Sequence, residues 1–241
     1  MSAPGSVAAL VLGAGRGERL GHALPKAFVE IDGRTLIEHS IRALAASGAV
    51  DLIVPVLAAG DVALWKALDL ESIDGLAEPV EGGAERQDSM QAGLERLPEE
   101  IEFVAVHDAA RCLVAAEDIQ AVVAAARETG AAIVGERVRD TIKRVVDDLI
   151  VETPAREECW AAQTPQVIRK DWLIEAIAAA GRSGRLGTDD VQLVEWLGHP
   201  VRMVEARFPN PKITGPEDLV FAEALFAKRA KRLKKAEGSR K

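Results

Sequence analysis

The residues best suited to chemistry lie near the start of the chain. An apolar run, Val7–Leu12, leads straight into Gly13-Ala-Gly-Arg-Gly-Glu-Arg-Leu-Gly21. Glycines lack a Cβ, so the backbone can approach a ligand closely and turn successive N–H groups toward anionic oxygens. Arg16, Arg19 and Lys26 follow, and Pro25 fixes the backbone just before Lys26. Cations beside a set of amide donors suit a polyphosphate. Two familiar phosphate loops do not fit. A Walker A loop needs Lys-Ser/Thr after its last glycine, and none follows. The dinucleotide fingerprint fails because Gly17 comes one position early and Glu18 stands where the third glycine belongs. A tight connection decorated with surface salt bridges remains an open reading of this stretch.

Such a loop needs a scaffold. Val7–Leu12, Leu52–Leu57, Phe103–Val106, Ala132–Val134 and Val201–Val204 read as buried strands. A short strand is also expected at Ala77–Val80. Between them, Thr35–Ala46, Asp61–Leu68, Arg86–Leu97, Asp118–Arg127 and Lys170–Ala180 carry apolar residues at helical spacing. Strand–helix alternation predicts an α/β fold with a mostly parallel sheet covered on both faces. Ligands of such sheets sit at the carboxyl ends of the strands, near a switch in strand order. Thr141–Val146 and Leu149–Val151 break the pattern. They read as a hairpin around Asp147-Asp148, either a surface excursion or an arm that packs on a second subunit. Thr214-Gly-Pro-Glu-Asp opens a C-terminal helix over Pro216–Lys235, with Pro216 near its first position and acids in its first turn.

Composition bounds the function. The chain has 241 residues, 30 Lys and Arg against 38 Asp and Glu, and a net charge of -8. An acidic total argues against a nucleic-acid partner, and the absence of Tyr argues against base-stacking platforms. The basic residues crowd into 228–241, a local +7, so residues 1–227 carry -15. The bland reading of that segment is a solvated helix end. Cys112 and Cys159 form no CxxC and have no nearby histidine at metal-ligand spacing, so neither a disulfide framework nor a zinc site is expected. No apolar run suits a signal segment or a membrane span, and a cytoplasmic location without membrane partners is expected. The expected organisation is one domain over 1–227, with an arm near 138–160, and a basic tail over 228–241.

An ordered set of motifs adds a resemblance. Gly13-Ala-Gly-Arg-Gly-Glu-Arg-Leu-Gly with Pro25-Lys26 is similar to the signature of sugar-phosphate nucleotidyltransferases. The rest of the set is Gly82-Gly-Ala-Glu-Arg-Gln-Asp-Ser89, Val106-His-Asp-Ala-Ala-Arg111, Asp140-Thr-Ile-Lys143, Thr153-Pro-Ala-Arg156, Gln163-Thr-Pro-Gln166, Thr188-Asp-Asp190 and Asn210-Pro-Lys-Ile-Thr214. Together, over roughly residues 7–226, they resemble the 2-C-methyl-D-erythritol 4-phosphate cytidylyltransferase family. The chain departs from that family's usual pattern at Leu12-Gly13, Cys112 and Val191-Gln192.

The resemblance implies a Rossmann-like fold, a homodimer through the hairpin arm, and transfer of a cytidylyl group from CTP to a polyol phosphate. Mg²⁺ is expected, carried mainly by the CTP phosphates. By match of position, Arg19, Lys26, Arg156 and Lys212 are the implied catalytic cations. Ala14, Gly15, Gly17, Gly82, Gly83, Arg86, Ser89, Asp108 and Ala109 are the implied nucleotide site. Arg111, Thr141, Arg156, Thr164, Thr188 and Lys212 are the implied acceptor site. Asp108 is the candidate metal ligand, although an aspartate at a strand end is as often a cap. His107 reads as a packed histidine. The alternatives are a cytidylyltransferase for ribitol 5-phosphate or another polyol phosphate, a guanylyl or uridylyl transferase, and a non-catalytic nucleotide-binding protein.

Overall fold

The computed structural model describes residues 5–15, 24–70 and 72–238. Its centre is a seven-stranded sheet in the order β11-β7-β10-β6-β1-β4-β5. These strands are β1 (Val7–Leu12), β4 (Leu52–Leu57), β5 (Val80–Glu81), β6 (Phe103–Asp108), β7 (Ala131–Arg137), β10 (Trp160–Arg169) and β11 (Arg202–Glu205). Six run parallel and β10 runs antiparallel between β6 and β7. The mostly parallel sheet expected from the sequence is therefore present, with one reversed strand.

Alternation along the strands explains why the sheet is covered twice. Val7, Ala9 and Val11 of β1 face one way, with Ala105 of β6, and pack on α1 (Leu36–Ala46), α2 (Val62–Lys66) and α4 (Ala116–Thr129). Ala8 and Leu10 face the other way, with Val104 and Val106, and pack on α3 (Arg86–Leu94), α5 (Lys170–Ser183) and α6 (Asp190–Glu195). Burying each Val, Leu or Ile side chain contributes roughly 1.5–3 kcal/mol, so the two layers are the main source of stability. Local signals set the element ends. Thr35 caps α1, accepting from the Glu38 N–H while the Glu38 carboxylate accepts from the Thr35 N–H.

Two hairpins stand apart from the sheet. β2 (Glu30–Ile31) and β3 (Arg34–Thr35) pack with Cys112, Leu113 and Ile213 under α7 (Pro216–Gly238). Cys112, one of the departures from the family pattern, thus lies in this third apolar cluster. The second hairpin is β8 (Arg144–Val146) with β9 (Leu149–Glu152). Asp147 and Asp148 both have positive φ, 48° and 63°, as a two-residue hairpin turn of the primed type requires. This strand is shorter than the expected Thr141–Val146, so Thr141 lies in the segment leading to it. The strand expected at Ala77–Val80 shifts to Val80–Glu81, and Ala77 instead donates its N–H to Ile53.

Candidate active site

The order of the sheet reverses at β1, with β6 on one side and β4 on the other. The crevice at such a reversal, beyond the strands' carboxyl ends, is where open α/β sheets bind ligands. A cleft of about 200 Å³ lies there, between Gly13–Gly15, Lys26, Gly83–Arg86, Ser89, Asp108–Ala110 and Lys212. A larger hollow of about 840 Å³ opens at the opposite end of the sheet, around Gly5, Phe103 and Trp172. Its cations are committed elsewhere: Arg127 donates to Gly5 O, Lys170 to Pro98 O and Arg169 to Asp171. The place of the smaller cleft, at the reversal of strand order and beside the glycine loop, makes it the candidate site.

The glycine loop leaves β1 with the Gly13 N–H donating to Val56 O. A Cβ on Gly15 would meet nothing within 4 Å, so this stretch of backbone is open to a ligand. Gly82 faces the reverse situation. A Cβ there would stand 2.7 Å from Ser89 Oγ and 3.0 Å from Ala14 Cβ, so only glycine allows the two loops to close on each other. Lys26 begins a single 3₁₀ turn, Lys26–Phe28, whose Ala27 and Phe28 are buried. That anchorage aims the lysine into the cleft. Gly17 and Arg19, expected as a backbone donor and a catalytic cation, lie outside the described residues.

Asp108, the last residue of β6, is the hub. Its Oδ1 accepts from Arg86 Nη1 at 2.6 Å. Its Oδ2 lies 2.9 Å from Lys212 Nζ and 3.6 Å from Arg111 Nε. Burial would push the Asp108 carboxyl up, but Arg86 and Lys212 together hold it well below the usual carboxylate range. Arg86 also grips Asp190, the first residue of α6, through both ends of its guanidinium: Nε to Oδ1 at 2.8 Å and Nη2 to Oδ2 at 2.6 Å. The two carboxylates and the desolvated guanidinium lock one another, and the Arg86 pKa is raised above its ordinary value. Arg86, expected as a nucleotide contact, lines the cleft while its fork is spent on carboxylates.

Behind Asp108, Thr164 Oγ1 accepts from the Asp108 N–H at 3.1 Å and lies 2.9 Å from His107 Nδ1. Asn210 Nδ2 donates to Thr164 O, and Arg111 Nη1 donates to Asn210 O. His107 is fully buried, and burial pushes its pKa down to about 4, with the Asp108 carboxylate pulling the other way. The sign follows. The unfolded chain protonates this histidine below its ordinary value of about 6.5, whereas the folded chain keeps it neutral until about 4. Its contribution is present above pH 6.5 and lost on acidification, amounting to about 2–3 kcal/mol by pH 4.5. Urea unfolding at pH 7 and pH 4.5 should show a smaller loss in His107→Asn than in the unsubstituted protein. Equal losses would contradict the assignment.

Among the described residues, the sequence-derived sites fall into three groups. Ala14, Gly15, Gly83, Arg86, Ser89, Asp108, Ala109, Lys26 and Lys212 line the cleft. Gly82 packs against Ser89 beneath it, while Arg111 and Thr164 contact Asp108 directly. Thr141, Arg156 and Thr188 are exposed and do not line the cleft. Arg156, at the foot of the arm, donates to Arg139 O. Thr188 donates its N–H to Gln192 Oε1. Sequence reasoning gave no role to Asp190 or Gln166. Their motifs were visible, but nothing local signals that Asp190 pairs with Arg86, 104 residues away. Among the described residues no group of three or more His, Cys, Asp or Glu side chains could hold a metal.

The start of a glycine loop at the reversal of a mostly parallel sheet, beside converging cations, marks an α/β protein whose cleft suits an anionic ligand. Comparison with known proteins narrows the class. The family model for IspD, 2-C-methyl-D-erythritol 4-phosphate cytidylyltransferase, matches residues 7–228. A protein of that name from Pelotomaculum thermopropionicum is 42% identical over 96% of this chain and 99% of its own. Another, from Geobacillus kaustophilus, is 40% identical over 92% of this chain and 97% of its own. The crystal structure of 4-diphosphocytidyl-2C-methyl-D-erythritol synthase from Anaerococcus prevotii superposes with a TM-score of 0.82 at 30% identity, covering 92% of this chain and 99% of that one. The chain belongs to the 2-C-methyl-D-erythritol 4-phosphate cytidylyltransferase family.

Proposed function

We propose that this protein joins CTP to 2-C-methyl-D-erythritol 4-phosphate, giving 4-diphosphocytidyl-2-C-methyl-D-erythritol and pyrophosphate. The observation that carries the reading is the convergence of Arg86, Arg111 and Lys212 on Asp108, beside a glycine loop and Lys26, in a chain that matches the family over 7–228. An acceptor phosphate oxygen attacks the α-phosphorus, and the pyrophosphate oxygen leaves from the opposite side with its electron pair. The attacking group is already an anion, so no general base is required. The buried neutral His107 fits that chemistry.

Two anions must be brought together, so the chain's task is positioning and charge stabilisation. Lys26 offers a compact point charge to the triphosphate. Lys212 is held at the cleft by Asp108 and is 40% exposed, ready to meet an incoming phosphate. Mg²⁺ suits this site as an ion borne by the CTP phosphates. The carboxylates lining the cleft are Glu85 and Asp108, and Asp108 is already paired with Arg86 and Lys212, so the CTP phosphates would hold the ion in the main and it would supply neutralisation of their charge. Pyrophosphate release from CTP that requires the methylerythritol phosphate tests the reading, and release independent of that acceptor would count against it. With no helix among the described residues long and apolar enough to span a membrane, a cytoplasmic location fits.

The acceptor site is completed by a second copy of the chain. Val145, Val146, Leu149, Ile150 and Val151 all lie on the arm, and every one is exposed, Leu149 by 71% and Ile150 by 63%. A continuous apolar hairpin with no cover in its own subunit calls for a partner. In the homodimer the partner's cleft receives Thr141 and Arg156, which stand outside the cleft of their own subunit. Leu149→Asp combined with Ile150→Asp should give a folded monomer whose KM for the acceptor rises on the order of tenfold or more, from loss of a charged phosphate contact. Sedimentation and steady-state kinetics check this. A fully active monomer would overturn it.

A further inference from the structure

We propose that Gln166 is a positioning residue for the nucleotide site, acting through the first turn of α6 on Asp190 and Arg86. Gln166 sits in β10, opposite Val106 of β6, and is 2% exposed. Its Oε1 accepts two adjacent backbone N–H groups, those of Asp190 and Val191, each at 2.9 Å. Its Nε2 donates to Gln163 O at 3.3 Å. The first N–H groups of a helix have no partner within it. α6 fills that need from two sources: the Asp189 carboxylate takes the Gln192 N–H at 3.0 Å, and Gln166 takes the two before it.

The consequence reaches the cleft. Asp190 is pinned at its backbone by Gln166 and at its carboxylate by Arg86, both oxygens being engaged. Arg86 in turn reaches Asp108, whose other oxygen holds Lys212. A single buried amide oxygen on β10 thus fixes where the guanidinium stands and what charge Asp108 can offer Lys212. Thr188, two residues before Asp190, rides on the same turn. Without the Gln166 acceptor two buried N–H groups lose their partner, α6 can relieve this only by shifting its start, and the Asp190–Arg86 fork goes with it. This inference rests on the reading of the cleft as a CTP site, but its structural readouts are independent of turnover.

The test uses the full chain, with Gln166→Met, which keeps the volume and removes the acceptor, and Gln166→Glu, which keeps an acceptor oxygen. The KM for CTP should rise on the order of tenfold in Gln166→Met and stay close to the unsubstituted value in Gln166→Glu. A merely structural role would lower the active fraction, and so kcat, in both variants without moving KM. The Arg86 Nε–H signal in a ¹H–¹⁵N spectrum, a direct reporter of the fork, should shift in Gln166→Met only. Amide exchange at Asp190 and Val191 in the unsubstituted protein needs no variant at all and decides the case if Gln166→Met fails to fold: both should be strongly protected. Exchange there at the rate of open amides would overturn the proposal, as would an unmoved KM and Arg86 signal in a folded Gln166→Met. If the chain turns over no CTP, the functional reading fails, while the exchange and the Arg86 signal still judge Gln166.

Discussion

Lys26→Ala is expected to lower turnover on the order of 10²–10³-fold while the protein keeps its fold. The attack joins two anions with no proton to abstract, so rate comes from charge placed in advance where it develops. Lys26 brings its ammonium to the cleft from a turn anchored by the buried Ala27 and Phe28. Alanine keeps that anchorage and removes only the half-buried side chain, so the fold should persist. The loss should fall on kcat more than on the KM for CTP, because the leaving pyrophosphate carries more charge in the transition state than in bound CTP. Initial rates of pyrophosphate release, with thermal unfolding as the control, check this. Wild-type turnover in a folded Lys26→Ala protein would remove the lysine from the mechanism.

Arg86→Met should have the largest effect on stability. The guanidinium bridges Asp108 and Asp190, whose side chains are 8% and 0% exposed. Removing the cation while keeping the volume leaves two buried carboxylates, one of which, Asp190, loses its ion-pair partner. Breaking a buried pair in this way costs about 3–5 kcal/mol, here nearer 3 because the Arg86 side chain is 29% exposed. The deficit should depend on pH. Burial already pushes the Asp190 carboxyl up, with Arg86 opposing it. Without Arg86 its folded pKa rises further above the unfolded value, so the folded variant takes up a proton first as pH falls. The deficit should therefore be greatest near neutrality and shrink on acidification toward pH 5. Denaturant titrations of both proteins at several pH values measure it. A constant deficit would show that Asp190 is not the group left without its partner.

Much of the scaffold is legible in the residues because fully buried parallel strands are written as unbroken apolar runs. Val7–Leu12 and Leu52–Leu57 have the expected bounds. β10 is not legible for the opposite reason. Gln163, Thr164, Pro165 and Gln166 interrupt its apolar residues, and three of the four serve the site: Thr164 holds Asp108, Gln166 holds α6 and the Gln163 carbonyl takes the Gln166 amide. Polar residues spent on function erase the pattern that would reveal a strand. The arm was visible as two apolar stretches around Asp147-Asp148, whose side chains tolerate the left-handed backbone the turn requires.

The site shows the same division. The glycine loop and Lys26 stand close in the chain, so their chemistry could be read locally. Asp108 could not be recognised as a hub, because Lys212 and Arg86 reach it only through the fold. The charge balance is clarified too. Within an acidic body, Arg86, Arg111 and Lys212 gather around Asp108 at one strand end, while Lys228, Arg229 and Lys231 lie on α7 and are not among the described residues that line the cleft.

The most direct measurement is pyrophosphate release with CTP, UTP, GTP or ATP, each paired with 2-C-methyl-D-erythritol 4-phosphate and with ribitol 5-phosphate, at saturating Mg²⁺. The account predicts the highest kcat/KM for CTP with methylerythritol phosphate, and a cytidine diphosphate product in equal amount to the pyrophosphate released. Preference for ribitol 5-phosphate or for another nucleotide, or release with no acceptor dependence, would contradict it.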